Sequence, residues 1–172
     1  MQLLLDAVGI EHALKTIAAA ILGDAPADAG LAVIGIRSRG DVLAERLLPL
    51  LRVSGDADIE HGALDITLYR DDLAEIGPDA VVRKTEIPFD IDDRYIILVD
   101  DVLWTGRTIR AALDALMDLG RPRAIRLAVL ADRPGRELPI QADYIGIRTA
   151  SEDGHVRVML ADTDDEETVQ IQ

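Results

Sequence analysis

Two adjacent carboxylates and a short hydroxyl-rich segment are the residues of this sequence whose types and spacing could do chemistry. Asp100 and Asp101 end an apolar run, and the residues TGRT follow at positions 105–108. Two hydroxyls, an arginine and an unhindered glycine backbone at the start of a helix favour a bound phosphate. Carboxylates beside a phosphate need a neutral or cationic group between them, which a ribose diol or a Mg²⁺ ion would supply. The segment therefore predicts a site for a ribose 5-phosphate.

A second loop offers positive charge of the kind that a polyphosphate needs. Arg37, Ser38, Arg39 and Gly40 follow the apolar run LAVIGI at residues 31–36. If both runs are parallel strands, both loops lie at the carboxyl edge of one sheet, where ligands of open α/β sheets bind. The loop then suits a pyrophosphate, because the planar guanidinium makes bidentate contacts with oxyanions. The alternative is an ordinary turn with solvated arginines.

Strands that alternate with helices must position these loops. Apolar runs and helical periodicity predict the following order: helix 10–22, strand 31–36, helix 42–51, strand 63–69, strand 95–101, helix 107–119, and strands 124–132, 142–148 and 155–160. Such alternation predicts an α/β fold with a mostly parallel, twisted sheet and flanking helices. No repeat or linker divides the chain, so residues 1–172 are expected to form a single domain.

Composition excludes several classes of protein. There is no cysteine, which excludes disulfide frameworks and thiolate chemistry. No apolar run is long enough to span a bilayer and no signal peptide is evident, so a soluble protein in the cytoplasm is expected. The net charge of −14 should repel nucleic-acid backbones over most of the surface. His12, His61 and His155 show no metal-binding spacing, and we expect them to be surface or structural residues.

The segment around the acid pair closely resembles the signature of the type I phosphoribosyltransferases, which bind phosphoribosyl pyrophosphate (PRPP). The resemblance assigns PRPP binding to an unbroken run of residues: Ile96, Ile97, Leu98, Val99, Asp100, Asp101, Val102, Leu103, Trp104, Thr105, Gly106, Arg107 and Thr108. It implies that the acids hold the ribose hydroxyls, directly or through the waters of Mg²⁺, and that residues 105–108 hold the 5′-phosphate. It also places pyrophosphate on the loop Arg37, Ser38, Arg39 and Gly40.

A closer resemblance covers about residues 10–160. The strings DITLYRDDL and RELPI are similar to those of the pyrimidine-operon attenuators that double as uracil phosphoribosyltransferases. This resemblance implies a homodimer or homotetramer that makes UMP and pyrophosphate from uracil and PRPP with Mg²⁺, and that binds operon leader RNA in response to UMP. Two alternatives stay open: an RNA-binding attenuator with little catalysis, and a purine phosphoribosyltransferase.

The same resemblance assigns further roles along the chain. It implies a flexible hairpin flap over residues 70–87 and a small hood over residues 132–156. Catalytic roles fall on Asp100, Asp101, Arg39 and Arg70, and the flap adds Arg83 and Lys84 at pyrophosphate. The residues expected at the base are Asp132, Arg133, Arg136 and Val156. The chain departs from the family pattern at Trp104, where tyrosine is usual, at Ser38, where threonine is usual, and at Pro134-Gly135, where Gly-His is expected.

The charged segments bear on the RNA hypothesis and on the C-terminus. In the regions where the family binds RNA, this chain offers few cations: Lys15, Arg148 and the cluster Arg121, Arg123 and Arg126. Weak or absent RNA binding is therefore expected. Residues 161–172 are expected to form a solvated acidic tail. The alternative of a calcium loop is disfavoured, because the glycine and spacing of an EF-hand are missing.

Overall fold

The computed structural model describes residues 1–52 and 58–172 as eight strands, four helices and two 3₁₀ turns. The strands are β1 (Gln2–Leu5), β2 (Leu31–Ile36), β3 (Glu60–Leu64), β4 (Tyr95–Leu103), β5 (Ala124–Asp132), β6 (Tyr144–Arg148), β7 (Val156–Met159) and β8 (Thr168–Ile171). The helices are α1 (Ala7–Asp24), α2 (Gly40–Arg52), the single turn α3 (Leu73–Ile76) and α4 (Arg107–Leu119). The 3₁₀ turns are Thr67–Tyr69 and Gly77–Asp79.

A five-stranded parallel sheet in the order β3-β2-β4-β5-β6 forms the body of the molecule. Side chains alternate along β4, so that Ile97 and Val99 face the core under α1 and α2, while Ile96 and Leu98 face the core under α4. Because both faces are covered, the central strands are apolar throughout, as is usual for parallel sheets. The predicted α/β class with flanking helices is confirmed.

The register of this sheet decides which loops become neighbours. Gly35 of β2 pairs with Val99 of β4, so the loop after β2 starts beside the acid pair at the end of β4. Leu103 of β4 pairs with Asp132 of β5, so the segment after β5 starts beside Trp104. The parallel arrangement therefore gathers three loops at one edge of the sheet, as expected for a ligand site in this class of fold.

A second, antiparallel sheet in the order β1-β8-β7 corrects the prediction for the C-terminus. Residues 161–172 were expected to be a solvated acidic tail, but Thr168–Ile171 form β8 between two other strands. Val169 of β8 is fully buried, because the alternation of TVQI turns one side of the strand toward the core. Strand β1, which the sequence pattern did not indicate, supplies the partner at the outer edge.

Two further predictions were wrong in detail. The strand expected over residues 63–69 ends at Leu64, because the carboxylate of Asp65 accepts a hydrogen bond from the N–H of Thr67 at 2.7 Å and turns the chain. The hairpin expected over residues 70–87 does not form: this segment contains α3 and a 3₁₀ turn, and a single bridge between Ala63 and Glu86 joins its end to β3.

The segment expected to form a hood, residues 132–156, divides between different parts of the fold. Tyr144–Arg148 within it form β6 of the parallel sheet, and Val156 begins β7 of the antiparallel sheet. Among the described residues, no helix combines the length and the hydropathy that crossing a membrane requires.

Candidate active site

Two aspartates at the end of β4 form a buried acidic pair. Asp100 is 5% exposed, and its Oδ1 accepts a hydrogen bond from the N–H of Asp101 at 2.9 Å. Burial, and after it the neighbouring charge of Asp101, raise the pKa of Asp100 well above its usual range. Burial also raises the pKa of Asp101, opposed by a hydrogen bond from the N–H of Val102 and by the charge of Arg39. Ionising these two carboxylates in the folded protein therefore costs free energy, and a bound cation or a set of hydroxyl donors would reduce that cost.

The residues 105–108 form the entry to α4 and leave its N-terminus open. Gly106 is the N-cap residue at φ +93°, a conformation that glycine adopts readily, and no side chain caps the helix there. The hydroxyl of Thr105 accepts a hydrogen bond from the N–H of Arg107 at 3.2 Å, which fixes the turn. An uncapped N-terminus presents free N–H groups and the positive end of the helix dipole, which is a binding site for a phosphate.

A cavity of about 230 Å³ lies between Asp101 of the acid pair, residues 105–108, which we call the phosphate loop, and the segment after β5. It is lined by Asp101, Val102, Leu103, Trp104, Thr105, Gly106, Thr108, Ile109, Arg133, His155 and Val156. The structure thus brings together residues 101–106 and 108 of the predicted PRPP segment and two of the four residues predicted at the base, Arg133 and Val156. Asp132 and Arg136 do not line this cavity. They pair with each other at 2.7 Å, and Arg136 also donates to the carbonyl of Trp104.

A buried arginine stacked on the sole tryptophan forms one wall of this cavity. The guanidinium carbon of Arg133 lies 4.6 Å from the ring centroid of Trp104, and Arg133 is 5% exposed. Its Nη2 donates to the carbonyl of Glu152 at 3.1 Å, whereas its Nε has no hydrogen-bond partner in the described part of the chain. A buried donor without a partner is costly, and the remaining polar atoms of Arg133 bring hydrogen-bond donors to this side of the cavity.

The loop after β2 lies against the acid pair and is held by carboxylates. A Cβ on Gly40 would lie 2.5 Å from the carbonyl oxygen of Val99, so glycine is needed for the loop to come this close. Arg37, which precedes Ser38 through a cis peptide bond, pairs with Asp41 at 3.2 Å. Arg39 has φ +68° and binds the carboxylate of Asp164 through its Nε and Nη2. Both predicted pyrophosphate arginines are thus at this edge of the sheet, each beside a carboxylate.

Residues of the predicted flap contact the loop after β2 and also line a second cavity beside the phosphate loop. Lys84 contributes its carbonyl oxygen, which accepts a hydrogen bond from Nε of Arg37 at 2.8 Å, while its ammonium group is exposed. The backbone N–H of Arg83 donates to Asp65. Arg70 is paired with Asp72 at 2.6 Å and lines a second cavity of about 350 Å³, together with Trp104 and residues 105, 107 and 108.

The same second cavity contains a link between flap, phosphate loop and hood segment. The guanidinium of Arg107 pairs with Asp71 at 2.6 Å and with Glu137 at 2.7 Å. The carbonyl of Thr105 accepts a hydrogen bond from the N–H of Glu137 at 3.0 Å. These contacts join residue 71, at the start of the flap, and residue 137, after β5, to the phosphate loop.

Some predicted contacts are structural, and some functional candidates were missed. Ile96, Ile97, Leu98 and Val99 are 0–2% exposed within β4, so they hold the strand and do not line the cavity. His155 is exposed, as expected for a surface residue, and it also lines the cavity beside Val156, which the sequence did not indicate. Its position next to Val156, itself assigned to the base, was the signal that could have identified it.

The acid pair also fits a magnesium ion that arrives with a polyphosphate ligand. No group of three or more His, Asp or Glu side chains in the described ranges is placed to hold a metal by itself. Asp101 nevertheless presents a hard oxygen ligand to the cavity. Because Mg²⁺ is commonly held by one or two carboxylates with the remaining ligands from phosphate and water, this donor set suits it.

Solved structures share the fold of this chain. A hypoxanthine-guanine phosphoribosyltransferase from Bacillus anthracis has a TM-score of 0.75 at 18% identity, with 100% of this chain and 98% of that chain covered. A hypoxanthine phosphoribosyltransferase of Trypanosoma cruzi has a TM-score of 0.72 at 18% identity, with 99% and 95% covered. At these identities the similarity shows the fold alone, which is the type I phosphoribosyltransferase fold.

Sequence relatives match far more closely and over almost the whole chain. The bifunctional protein PyrR of Deinococcus radiodurans is 51% identical over 164 residues, which are 94% of this chain and 89% of that protein. The bifunctional protein PyrR of Thermus aquaticus is 49% identical over 169 residues, which are 98% and 93%. Residues 3–163 match the model of the phosphoribosyl transferase domain. The chain therefore belongs to the phosphoribosyl transferase domain family and, within it, to the family of the bifunctional protein PyrR.

Proposed function

We propose that the protein is a uracil phosphoribosyltransferase, which converts uracil and PRPP to UMP and pyrophosphate. The observation that carries the proposal is the single cavity in which Asp101, the phosphate loop and Arg133 meet. These groups suit the ribose, the 5′-phosphate and the base of one nucleotide. The pyrophosphate loop lies beside them, because Gly40 allows it to approach the end of β4.

The ribose 5-phosphate would be held by backbone and carboxylate groups. The open N-terminus of α4 and the hydroxyls of Thr105 and Thr108 bind the 5′-phosphate. Asp101 faces the ribose hydroxyls. The carboxylate of Asp100 holds Asp101 in place by accepting a hydrogen bond from the backbone N–H of Asp101. Fixing the sugar at both ends orients the anomeric carbon for attack, which is the main contribution that positioning makes to such a reaction.

Bond exchange at the anomeric carbon then needs support for the leaving group. The bond from C1 to the pyrophosphate oxygen breaks, a bond from C1 to N1 of uracil forms, and N1 loses its proton to solvent or to pyrophosphate. Arg39 and Arg37 stabilise the negative charge that develops on pyrophosphate. When bound, Mg²⁺ neutralises part of the same charge. Positive charge develops on the ribose ring as the bond to pyrophosphate breaks. The flap, residues 70–87 with Arg70, Arg83 and Lys84, excludes water from this cationic sugar.

Base selection would depend on the wall opposite the phosphate loop. Uracil carries two carbonyl oxygens, and the guanidinium of Arg133, a residue that lines the cavity, is a donor suited to one of them. Val156 and His155 lie on the same wall, where the backbone at the start of β7 can read the edge of the base. A purine would require more of the 230 Å³ cavity once the ribose is in place.

The proposal is tested by a base-substrate assay. The protein is incubated with PRPP and Mg²⁺ and with uracil, hypoxanthine or guanine in parallel, and nucleotide formation is measured. UMP is expected with uracil, with little product from the purines. Asp101→Asn should lose activity, whereas Glu11→Gln, which removes an exposed carboxylate paired with Lys15 on α1, should retain it. Absence of UMP, or a preference for a purine, would contradict the proposal.

Regulation by RNA is the second function that the relatives suggest, and we propose that it is weak here. Three of the five candidate RNA-binding cations have carboxylate neighbours: Lys15 with Glu11 at 2.6 Å, Arg123 with Asp28 at 3.4 Å, and Arg148 with Asp132 at 3.8 Å. Paired cations release fewer counterions from RNA, which lowers affinity. A mobility-shift assay with the leader RNA of its own operon, with and without UMP at several salt concentrations, tests this. A tight, UMP-enhanced and salt-dependent shift would overturn the proposal.

A further inference from the structure

One carboxylate of the acidic C-terminal segment holds an arginine of the pyrophosphate loop. Nε and Nη2 of Arg39 donate to Oδ2 and Oδ1 of Asp164 at 3.3 and 3.0 Å. The two residues are 125 positions apart and both side chains are largely covered, with exposures of 30% and 20%. A bidentate pair of this kind fixes both the distance and the plane of the guanidinium.

Asp164 is itself held firmly, so it can act as a fixed support. Its Oδ2 accepts hydrogen bonds from the N–H of Leu160 and from the hydroxyl of Thr163, each at 3.0 Å. Its own N–H donates to the carbonyl of Leu160 at 2.6 Å, which closes a turn directly after β7. The guanidinium of Arg39 lowers the pKa of Asp164 to about 2, so the carboxylate is charged at every working pH.

Arg39 has little other support for its orientation. Its backbone is in the left-handed region at φ +68°, which costs an arginine energy and leaves its side chain dependent on tertiary contacts. In the described part of the chain, its side chain makes hydrogen bonds to Asp164 alone. Arg39 and Asp101 line the same cavity of about 340 Å³ beside β7. Arg39 therefore connects its supporting acid, Asp164, with a cavity that an acid of the candidate site also lines.

The donor geometry of arginine decides what remains for a ligand. A guanidinium has five N–H donors in a rigid plane, and the pair with Asp164 uses the edge formed by Nε and Nη2. The edge formed by Nη1 and Nη2 keeps two parallel N–H groups, one from each nitrogen, which is a fork suited to two oxygens of a phosphate. A support on one edge thus orients the other edge toward an oxyanion.

We propose that Asp164 is a positioning residue for PRPP, which acts through Arg39 by presenting its free guanidinium edge to the pyrophosphate group. The inference rests on the proposed function, because it assumes that Arg39 contacts the leaving group. It gives the acidic C-terminal segment a role in substrate binding. Neither the family signature nor the charge of the segment indicates such a role.

The experiment compares Asp164→Ala and Asp164→Asn with the wild-type protein. Binding of PRPP with Mg²⁺ is measured by calorimetry in the absence of uracil, and steady-state kinetics give KM for each substrate. For Asp164→Ala we expect about a tenfold rise in the dissociation constant and KM for PRPP, with KM for uracil unchanged. Asp164→Asn keeps the shape and one acceptor oxygen, and it should recover part of the loss even if the alanine variant folds poorly.

A double-mutant cycle and a matched control separate positioning from simple support of the fold. If Asp164 acts through Arg39, the alanine change at 164 should add little to the loss of PRPP affinity already caused by Arg39→Ala. Glu167→Ala removes a neighbouring carboxylate that pairs with Arg46 instead, so it should lower stability and leave KM for PRPP unchanged.

The outcomes distinguish the two proposals. Wild-type protein that binds no PRPP would overturn both of them. The positioning role alone would be overturned if the wild-type protein binds PRPP and makes UMP but the variants of Asp164 keep full PRPP affinity. It would also be overturned if the losses of PRPP affinity from Asp164→Ala and Arg39→Ala add in the double-mutant cycle. Loss of PRPP affinity in Glu167→Ala equal to that in Asp164→Ala would also overturn it.

Discussion

Gly135 supports the stack of Arg133 on Trp104, and replacing it with alanine should disturb the candidate base site in a measurable way. Gly135 has φ +110°, and a Cβ built on it would lie 2.6 Å from Nε1 of Trp104. No Cβ atom tolerates such a contact. Because Trp104 is 47% exposed, its ring can move outward into solvent, which would separate it from the buried Arg133. We therefore expect Gly135→Ala to displace the indole and to break the cation–π contact.

Two contributions set the loss of unfolding free energy expected for Gly135→Ala. Placing alanine at a positive φ costs about 1–2 kcal/mol, and losing the cation–π contact costs about 0.5–2 kcal/mol. Together they lower the free energy of unfolding by roughly 1.5–4 kcal/mol, a fall in Tm of about 3–16 °C for a chain of this size. Gly77→Ala is the matched control, since Gly77 has φ +58° and no atom within 4 Å of the added Cβ. It should show the backbone cost without the loss of the contact.

Tryptophan fluorescence and thermal unfolding test this reasoning directly. Trp104 is the sole tryptophan, so its emission reports this one position. The emission of Gly135→Ala should shift to longer wavelength, with the emission of Gly77→Ala unchanged and its Tm higher than that of Gly135→Ala. In a Trp104→Phe background the two alanine changes should cost similar amounts. An unshifted emission maximum, or equal losses of stability in the presence of Trp104, would refute the argument.

Three further predictions concern charge. Burial raises the pKa of Asp100 above 3.8, so wild-type stability should fall as pH rises from about 4 through that raised pKa. Asp100→Asn should reduce this pH dependence, to which the raised pKa of Asp101 also contributes, raise stability at pH 7 by about 0.5–2 kcal/mol and abolish UMP formation, as measured by thermal unfolding across pH and by the substrate assay. The pKa of Asp164 is lowered to about 2, so its pair with Arg39 should stabilise the protein fully above pH 4 and lose this effect as pH falls toward 2. The difference in unfolding free energy between wild type and Asp164→Asn, about 1 kcal/mol or less at pH 7, should shrink accordingly. Arg46→Met removes the partner of two carboxylates in the C-terminal segment, so hydrogen exchange of β8 should become faster while KM for PRPP is unchanged.

The parts of the site that the sequence predicted are those encoded by neighbouring residues. The segment from β4 through residues 105–108 to α4 carries its own pattern of apolar run, acids, turn and helix, and its predicted helix bounds, 107–119, are those observed. Strand β8 depends on pairing between Ile171 and Gln2 at the opposite end of the chain, which no local pattern contains. The contact of Arg39 with Asp164 depends on the same long-range arrangement, so the acidic segment could be recognised by composition but not by its role.

The net charge of −14 and a site for polyphosphate are compatible because the loop arginines are already paired. Arg37, Arg39, Arg70 and Arg107 each contact a carboxylate, with N–O distances between 2.6 and 3.2 Å. A polyphosphate that binds at Arg37, Arg70 or Arg107 would exchange partners with these acids, whereas Arg39 would keep its pair with Asp164 and offer its free edge. This exchange lowers affinity for any polyanion that offers phosphate charge alone, since breaking each pair offsets the new contact. Under the proposed function, PRPP would also place a ribose on Asp101 and a 5′-phosphate on the N-terminus of α4, and these added contacts would favour it over RNA. On this proposal the carboxylates that pair with the site arginines would contribute to selectivity for PRPP, and the acidic surface would oppose RNA binding elsewhere on the molecule.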